Sequence, residues 1–234
     1  MIGKRKILLL VALLSLFANA WLAAQQVPEN AASVSGGAPP IVTFTLDFPQ
    51  SSPEHYSLSV DSTGRAVYIS GNPSRSADDT DQSFRYEFKV SEPTRKQIME
   101  LSRRANYFEG ELERGKGKIA NTGTKTLTYR DGQRNNSASF NYTGNPAAQE
   151  LTRMFQSISA TLEFADRLDQ AHHYQKLALD EQLKQMEEMV KGNSLMEVQA
   201  IAPILKRIIA DQTVVNATRA RAERILLTVN APSR

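Results

Sequence analysis

Cysteine is absent from this chain of 234 residues, tryptophan occurs once and histidine only three times. Without cysteine, disulfides, thiolate catalysis and zinc sites built on cysteine are excluded. The sequence also has no Gly-x-Ser-x-Gly element and no P-loop, so two common signatures of hydrolases and nucleotide-binding proteins are missing. Glycine and proline are both absent from residues 147–191, so no ordinary helix breaker interrupts that stretch.

The N-terminus has the pattern of a secretory leader. Three basic residues at positions 4–6 precede an apolar run at 7–17, and small residues near Ala20 and Ala24 follow. This arrangement predicts a cleaved signal peptide over residues 1–24 and a periplasmic or secreted protein. The alternative is an uncleaved anchor, slightly shorter than the ~20 residues that a membrane span needs, which would make the protein a membrane-tethered scaffold.

The charge balance argues against a nucleic-acid partner. The chain contains 28 Lys and Arg and 25 Asp and Glu, and the predicted leader contains three of the basic residues and no acidic one. Cleavage would therefore leave 25 charges of each sign. Domains that bind nucleic acids usually carry a strong basic excess, so we expect none as a partner.

The first half of the remaining chain predicts strands and turns. Residues 25–40 are rich in proline and glycine and predict a flexible linker. Gly64 supplies the positive φ that a short hairpin turn requires, and Asp131-Gly132 marks a second hairpin. Alternating apolar residues predict six strands, near residues 41–48, 56–60, 65–69, 84–90, 124–130 and 137–142.

Two helices are predicted around and after these strands. One follows Ser91 and ends at Gly110. The other begins at the N-cap Asn145 with Pro146 in its first turn, and apolar residues at spacings of three and four continue over 151–190. Unbroken, this helix would be about 65–70 Å long, so its second half either projects or bends back. Nothing in the sequence forces a break, and we expect its first half to cover the sheet.

The C-terminal residues predict two shorter helices. Ser194 and Glu197 have the spacing of a capping box, which predicts a helix start there. Pro203 either kinks that helix or begins its second segment. The last helix is expected over residues 213–229 with Val215 buried.

These elements predict an α+β fold with an antiparallel sheet of about six strands and helices packed on one face. A C-terminal helical hairpin or three-helix layer follows. The predicted domains are residues 41–145 and 146–230.

Charges differ between the predicted C-terminal helices. Residues 146–191 hold eight acidic and five basic side chains, whereas residues 192–234 hold three acidic and six basic ones. We therefore expect Arg219, Arg221 and Arg224 to be solvated or paired with the long helix rather than reserved for an outside polyanion.

One surface is a candidate for binding an acidic partner. Residues 89–134 hold eleven basic and six acidic side chains, whereas residues 47–88 hold three and seven. If the two stretches face different ways, an acidic partner could dock on the helix after Ser91. The candidate binding residues are Arg95, Lys96, Arg103 and Arg104.

A metal site is the alternative chemistry. Asp169 can share a helix face with His172, and Asp166 with His173. These residues suggest a metal-dependent hydrolase that uses His172 or His173 with nearby carboxylates. No third ligand lies close in the sequence, and polar residues on an exposed helix explain the same pattern.

Turn and core residues in the first two thirds of the chain form a further pattern. They are Tyr56, Leu58, Val60, Gly64, Tyr68, Ile98, Leu101, Tyr107, Phe108 and the run 122–129. The pattern resembles a group of exported bacterial domains of unknown function, which share a strand, a glycine turn, a strand, a helix ending near an aromatic pair and a threonine-rich strand pair. The resemblance covers about residues 41–165 and implies an α+β fold without known catalytic residues.

The sequence therefore predicts an exported, non-enzymatic envelope module that binds a protein partner or an envelope polymer and needs no cofactor. Its basis is a leader and a substantial predicted core without a recognisable catalytic set. The metal-dependent hydrolase remains the alternative.

Overall fold

The computed structural model describes residues 38–49, 51–71, 83–113 and 120–230. The predicted signal peptide and residues 25–37 of the predicted linker lie outside this part of the chain. None of the helices it describes is long and apolar enough to cross a membrane.

Six strands form one antiparallel sheet, which confirms the predicted fold class. Their spatial order is β4-β3-β2-β1-β5-β6. The first four strands lie side by side in chain order, and so do β5 and β6, as hairpin connections require. The two groups meet where β5 pairs with β1. The strands are β1 (Ile41–Asp47), β2 (His55–Asp61), β3 (Arg65–Gly71), β4 (Phe84–Lys89), β5 (Thr124–Arg130) and β6 (Asn135–Phe140).

Strand alternation separates an apolar face from a hydroxyl-rich face. Phe44 and Leu58 are fully buried on the apolar face. The ring of Phe44 stacks on that of Phe155 with centroids 5.6 Å apart. On the opposite face, Thr43 Oγ1 and Ser59 Oγ form a hydrogen bond of 2.9 Å. The helices therefore pack on one face of the sheet, as predicted.

The turn between β2 and β3 confirms the predicted role of Gly64, whose φ is +88°. Asp61 Oδ1 accepts hydrogen bonds from the backbone N–H groups of Thr63 at 2.8 Å and Arg65 at 3.0 Å. A side chain at position 64 would be strained there, because L-residues rarely adopt this conformation.

We expect Gly64→Ala to lower the free energy of unfolding by about 1–2 kcal/mol. The added Cβ would also lie 3.3 Å from Arg95 Cδ. Urea denaturation measures the loss. The matched control is Gly132→Ala, because no atom lies within 4 Å of the Cβ built there. Equal losses of unfolding free energy in the two variants would contradict this account of the turn.

Helix α1 (Glu92–Arg104) ends earlier than predicted. A turn at Asn106–Phe108 follows, and its three residues have φ of 51°, 52° and 62°. The prediction that the helix ends at Gly110 is therefore wrong. The reason is that Phe108, buried completely in the core, is reached through this left-handed turn rather than through a further helical turn.

The predicted long helix is broken in the structure. Helix α2 (Pro146–Tyr174) begins where predicted, with Asn145 Oδ1 accepting hydrogen bonds from two backbone N–H groups in the first turn. Gln175 then leaves helical geometry with φ −144° and ψ 59°, and α3 (Leu179–Lys191) follows a short 3-10 turn. The expectation of no break is wrong, because the chain bends back and buries the apolar face of α3.

Two shorter helices complete the helical part. They are α4 (Ala202–Ala210) and α5 (Asn216–Asn230). Pro203 lies in the first turn of α4, so the second of its two predicted roles is correct. The predicted burial of Val215 is wrong: it is 62% exposed and Val214 is buried instead. This difference arises because α5 begins only at Asn216, three residues later than predicted.

The predicted capping box at Ser194 is also wrong. Glu197 has a left-handed φ of 57° and no α-helix begins there. Its carboxylate instead reaches the start of α1. Oε2 accepts the backbone N–H of Ser91 at 2.8 Å, and Oε1 accepts the hydroxyls of Ser91 at 2.7 Å and Thr94 at 2.5 Å. Glu197 thereby fastens the helical part to the sheet part, and the two share one hydrophobic core.

Candidate functional site

Three of the four predicted basic residues meet at one concave surface. Arg95, Lys96 and Arg103 line a cavity of about 410 Å³ beside α1. Arg104 is exposed but does not line it. We call this cavity the basic groove. Its other lining residues are Pro40, Ser62, Met99, Glu100, Tyr107 and Tyr129.

The three cations are held to different degrees. Arg95 is the most fixed, because its Nη1 donates to the carbonyl oxygen of Ser62 at 2.9 Å. The side chains of Lys96 and Arg103 remain 68% and 60% exposed. Lys96 and Arg103 are therefore the two cations most accessible to an incoming anion.

Each accessible cation already has an acidic neighbour on its own helix. Lys96 Nζ lies 2.6 Å from Glu92 Oε1, and Arg103 donates to both carboxylate oxygens of Glu100 at 2.7 and 2.9 Å. The hydrogen bond from Lys96 lowers the pKa of Glu92, and the one from Arg103 lowers the pKa of Glu100. Exposed pairs of this kind contribute little and are screened by salt, so a partner's carboxylates can replace them.

Aromatic rings form the end of the basic groove. The rings of Tyr107 and Tyr129 lie 4.7 Å apart, and the Arg134 guanidinium carbon lies 4.5 Å above the Tyr107 ring. Burial raises the pKa of Tyr129. The left-handed turn at Asn106–Phe108 places Tyr107 here, and backbone strain of this kind is often found at functional sites. The role of Tyr107 was missed in the sequence, because no local motif marks such a turn.

The side chains of the alternative metal site lie near one another but have other partners, although His173 Nδ1 is also 3.8 Å from Asp169 Oδ2. His172 Nε2 lies 2.9 Å from Asp211 Oδ2, whereas His173 Nδ1 lies 2.8 Å from the backbone oxygen of Asp169. The Asp169 carboxylate pairs with Arg207. Within the described ranges, no group of three or more His, Asp or Glu side chains could hold a metal ion. The hydrolase alternative therefore gains no support from this geometry.

A partly buried acid–tyrosine pair links the sheet to α2. The Tyr68 hydroxyl donates to Glu163 Oε1. Burial raises the pKa of both groups, and it also raises the pKa of neighbouring Tyr56. Perturbed groups can mark active sites. Here the hydrogen bond joins β3 to the middle of α2, so we interpret the pair as a structural contact.

No protein-family model matches this chain, and no curated protein matches it. The resemblance to exported bacterial domains of unknown function stays a prediction. Several residues that carry it have structural roles: Gly64 forms a turn, Phe108 fills the core and Leu127 is buried in β5.

Proposed function

We propose that this protein is an exported, non-enzymatic binding module that takes up a carboxylate-bearing chain in the basic groove. The bound chain would be an acidic segment of a protein partner or an acidic envelope polymer. The observation that supports the proposal is the meeting of accessible cations and aromatic rings at one cavity.

The spacing of the cations suits an extended acidic chain. Lys96 and Arg103 are seven residues apart on α1, which corresponds to about 10 Å along the helix axis. An extended chain in the polyproline II conformation advances about 3.1 Å per residue and returns to the same face every three residues. Carboxylates three residues apart could therefore face the two cations together, with Arg95 adding a third positive charge from the groove wall.

Export is the part of the proposal that depends on the predicted leader. Intact mass of the protein recovered from its host would separate cleavage near Ala20 or Ala24 from a retained anchor.

We expect the double variant Lys96→Glu and Arg103→Glu to bind a fluorescent decaglutamate peptide at least about tenfold more weakly, because two attractive contacts become repulsive. Fluorescence anisotropy measures the change. Polygalacturonate, tested in parallel, distinguishes an acidic polymer from an acidic protein segment as the preferred class.

The matched control reverses two charges on the helical part. Lys184 and Lys206 are exposed on α3 and α4, so Lys184→Glu with Lys206→Glu makes the same change in net charge. We expect it to leave binding within about twofold, since distant exposed charges are screened. Equal losses of decaglutamate affinity in the two double variants, or no loss in either, would contradict binding in the basic groove.

A further inference from the structure

A second cavity lies at the other end of β5 from the basic groove. It occupies about 320 Å³ where the start of β5, the end of β6 and the first turns of α2 meet. Tyr129 belongs to the groove, whereas Lys125 lines this second cavity. We call it the β5–α2 pocket. The lining residues that matter here are Lys125, Phe140, Tyr142, Gln149, Thr152 and Arg153.

Lys125 places a buried positive charge in the pocket wall. It occupies a core-facing strand position and is only 7% exposed. Its Nζ lies 2.8–3.1 Å from four neutral oxygens, which belong to Thr122, Gly123 and Asn141. No carboxylate of the described residues lies within salt-bridge distance of it. Burial lowers the pKa of Lys125 and the negative charge of Glu113 opposes that shift.

Arg153 adds a second cation to the same pocket. It is an exposed residue of α2, and it forms no hydrogen bond or ion pair with the described part of the chain. Glu113 is the acid near this site, and its Oε2 is occupied by the backbone N–H of Asn141 at 2.7 Å. The pocket therefore holds two positive charges without a directly paired carboxylate among the residues described.

Thr152, another residue that lines the pocket, has an unpaired hydroxyl. The residue is 7% exposed and lines the pocket, yet its Oγ1 has no hydrogen-bond partner among the described residues. Buried polar atoms are nearly always hydrogen-bonded, and an unpaired one lacks the compensation that a partner provides. A ligand oxygen in the pocket would satisfy it.

Two aromatic residues give the pocket an apolar side. Phe140 is buried at the end of β6, and Tyr142 is half exposed. Gln149 Nε2 orients Tyr142 by donating to its hydroxyl at 3.2 Å and to the carbonyl oxygen of Thr143 at 2.6 Å. Pockets with mainly apolar walls and a few convergent polar groups are typical of small-molecule sites.

We infer that the β5–α2 pocket binds a small organic carboxylate with an apolar body. The carboxylate accepts hydrogen bonds from Arg153 and from the Thr152 hydroxyl, and the charge of Lys125 stabilises it from the wall. The apolar body packs against Phe140 and Tyr142. This site is independent of the basic groove and does not rest on the function proposed for it.

The test is calorimetric titration of the full chain with phenylacetate and hexanoate, and with neutral phenylacetamide as the control probe. At least one of the two carboxylates binds saturably, and phenylacetamide binds at least about tenfold more weakly because it lacks the charge. Arg153→Met weakens carboxylate binding about tenfold or more by removing the charged hydrogen-bond donor. If neither carboxylate binds at about 10 mM, a concentration at which even weak sites fill, the inference is overturned.

A second variant separates binding from folding. Thr152→Val keeps the shape of the side chain and removes only the unpaired hydroxyl, so its urea midpoint does not fall, while carboxylate affinity falls severalfold. Lys96→Glu with Arg103→Glu leaves phenylacetate binding unchanged, and Arg153→Met leaves decaglutamate binding unchanged. Unchanged carboxylate affinity in both Arg153→Met and Thr152→Val overturns the assignment, whatever the result at the groove.

Discussion

Replacing Glu197 with glutamine is expected to lower the free energy of unfolding by about 3 kcal/mol, because buried donors lose a charged acceptor. The residue is 7% exposed. Besides Ser91 and Thr94, the side chain of Gln199 also donates to its carboxylate, at 2.6 Å. A carboxylate accepts at both oxygens, whereas the Nε2 of an amide accepts none. Glutamine therefore keeps an acceptor for only one side of this contact, and the donors on the other side lose their charged acceptor.

The loss of stability in Glu197→Gln should be greatest at the beginning of α1. Ser91 forms no side-chain cap of its own there. The Glu197 carboxylate accepts the backbone N–H of Ser91, which is the donor that the N3 side chain takes in a capping box. Hydrogen exchange should accelerate in the first turn of α1 in the variant. Urea denaturation gives the free energy.

The control for Glu197→Gln is Glu188→Gln, since Glu188 is exposed on α3. We expect a change within about 0.5 kcal/mol for the control. An equally small change in Glu197→Gln would show that this contact does not fasten the two parts together.

Glu187→Gln is expected to lower the free energy of unfolding by about 2 kcal/mol at neutral pH, because it leaves charged donors without their acceptor. The buried Glu187 carboxylate lies 2.7 Å from Arg221 Nη1, 3.1 Å from Arg224 Nε and 3.2 Å from Lys191 Nζ. The hydrogen bond from Arg224 is the largest cause that lowers the pKa of Glu187 to about 2.

The effect of Glu187 should depend on pH in a definite direction. The pKa of Glu187 is lower in the folded chain than its ordinary value of 4.5. Its carboxylate therefore makes its full contribution to stability at pH values above 4.5. The contribution is lost as the pH falls from 4.5 towards 2. The difference in Tm between wild type and Glu187→Gln should therefore be largest near neutral pH and shrink in acid. A difference that stays constant over this range would contradict the role of the charge.

Local patterns predicted much of this fold. Alternating apolar residues located all six strands, and the cap at Asn145 located the start of α2. The charge difference between the C-terminal segments predicted that Arg221 and Arg224 would be solvated or paired with the long helical stretch, and their contacts with Glu187 show that they pair. The strands and the cap depend on neighbouring residues in the sequence, whereas the ion pairs follow from the opposite charge balance of two long segments.

The features that were missed depend on contacts between distant residues. Gln175 breaks the helix although its neighbours favour helix, because burial of the apolar face of α3 outweighs local propensity. Glu197 matches a capping box, yet its partners Ser91 and Thr94 are about a hundred positions away. No rule based on neighbouring residues shows whether a side chain such as Glu197 caps the helix that follows it or a helix elsewhere in the fold.

The candidate sites were predicted unevenly for the same reason. Regional charge indicated the cations of the basic groove, but Tyr107 reaches it only through strained backbone. The β5–α2 pocket had one available signal, which is a lysine at position 125 in a strand whose other core-facing residues are Leu127 and Tyr129. A charged residue on an apolar face is a better indicator of a site than an exposed basic cluster.

The most direct test of the central claim is an NMR titration of the full, isotopically labelled chain with decaglutamate. The account predicts that shifts concentrate along α1 and at Tyr107, Tyr129 and Arg134, which surround the basic groove. Shifts confined to the helices α3–α5, or no shifts at peptide concentrations that saturate weak sites, would contradict it.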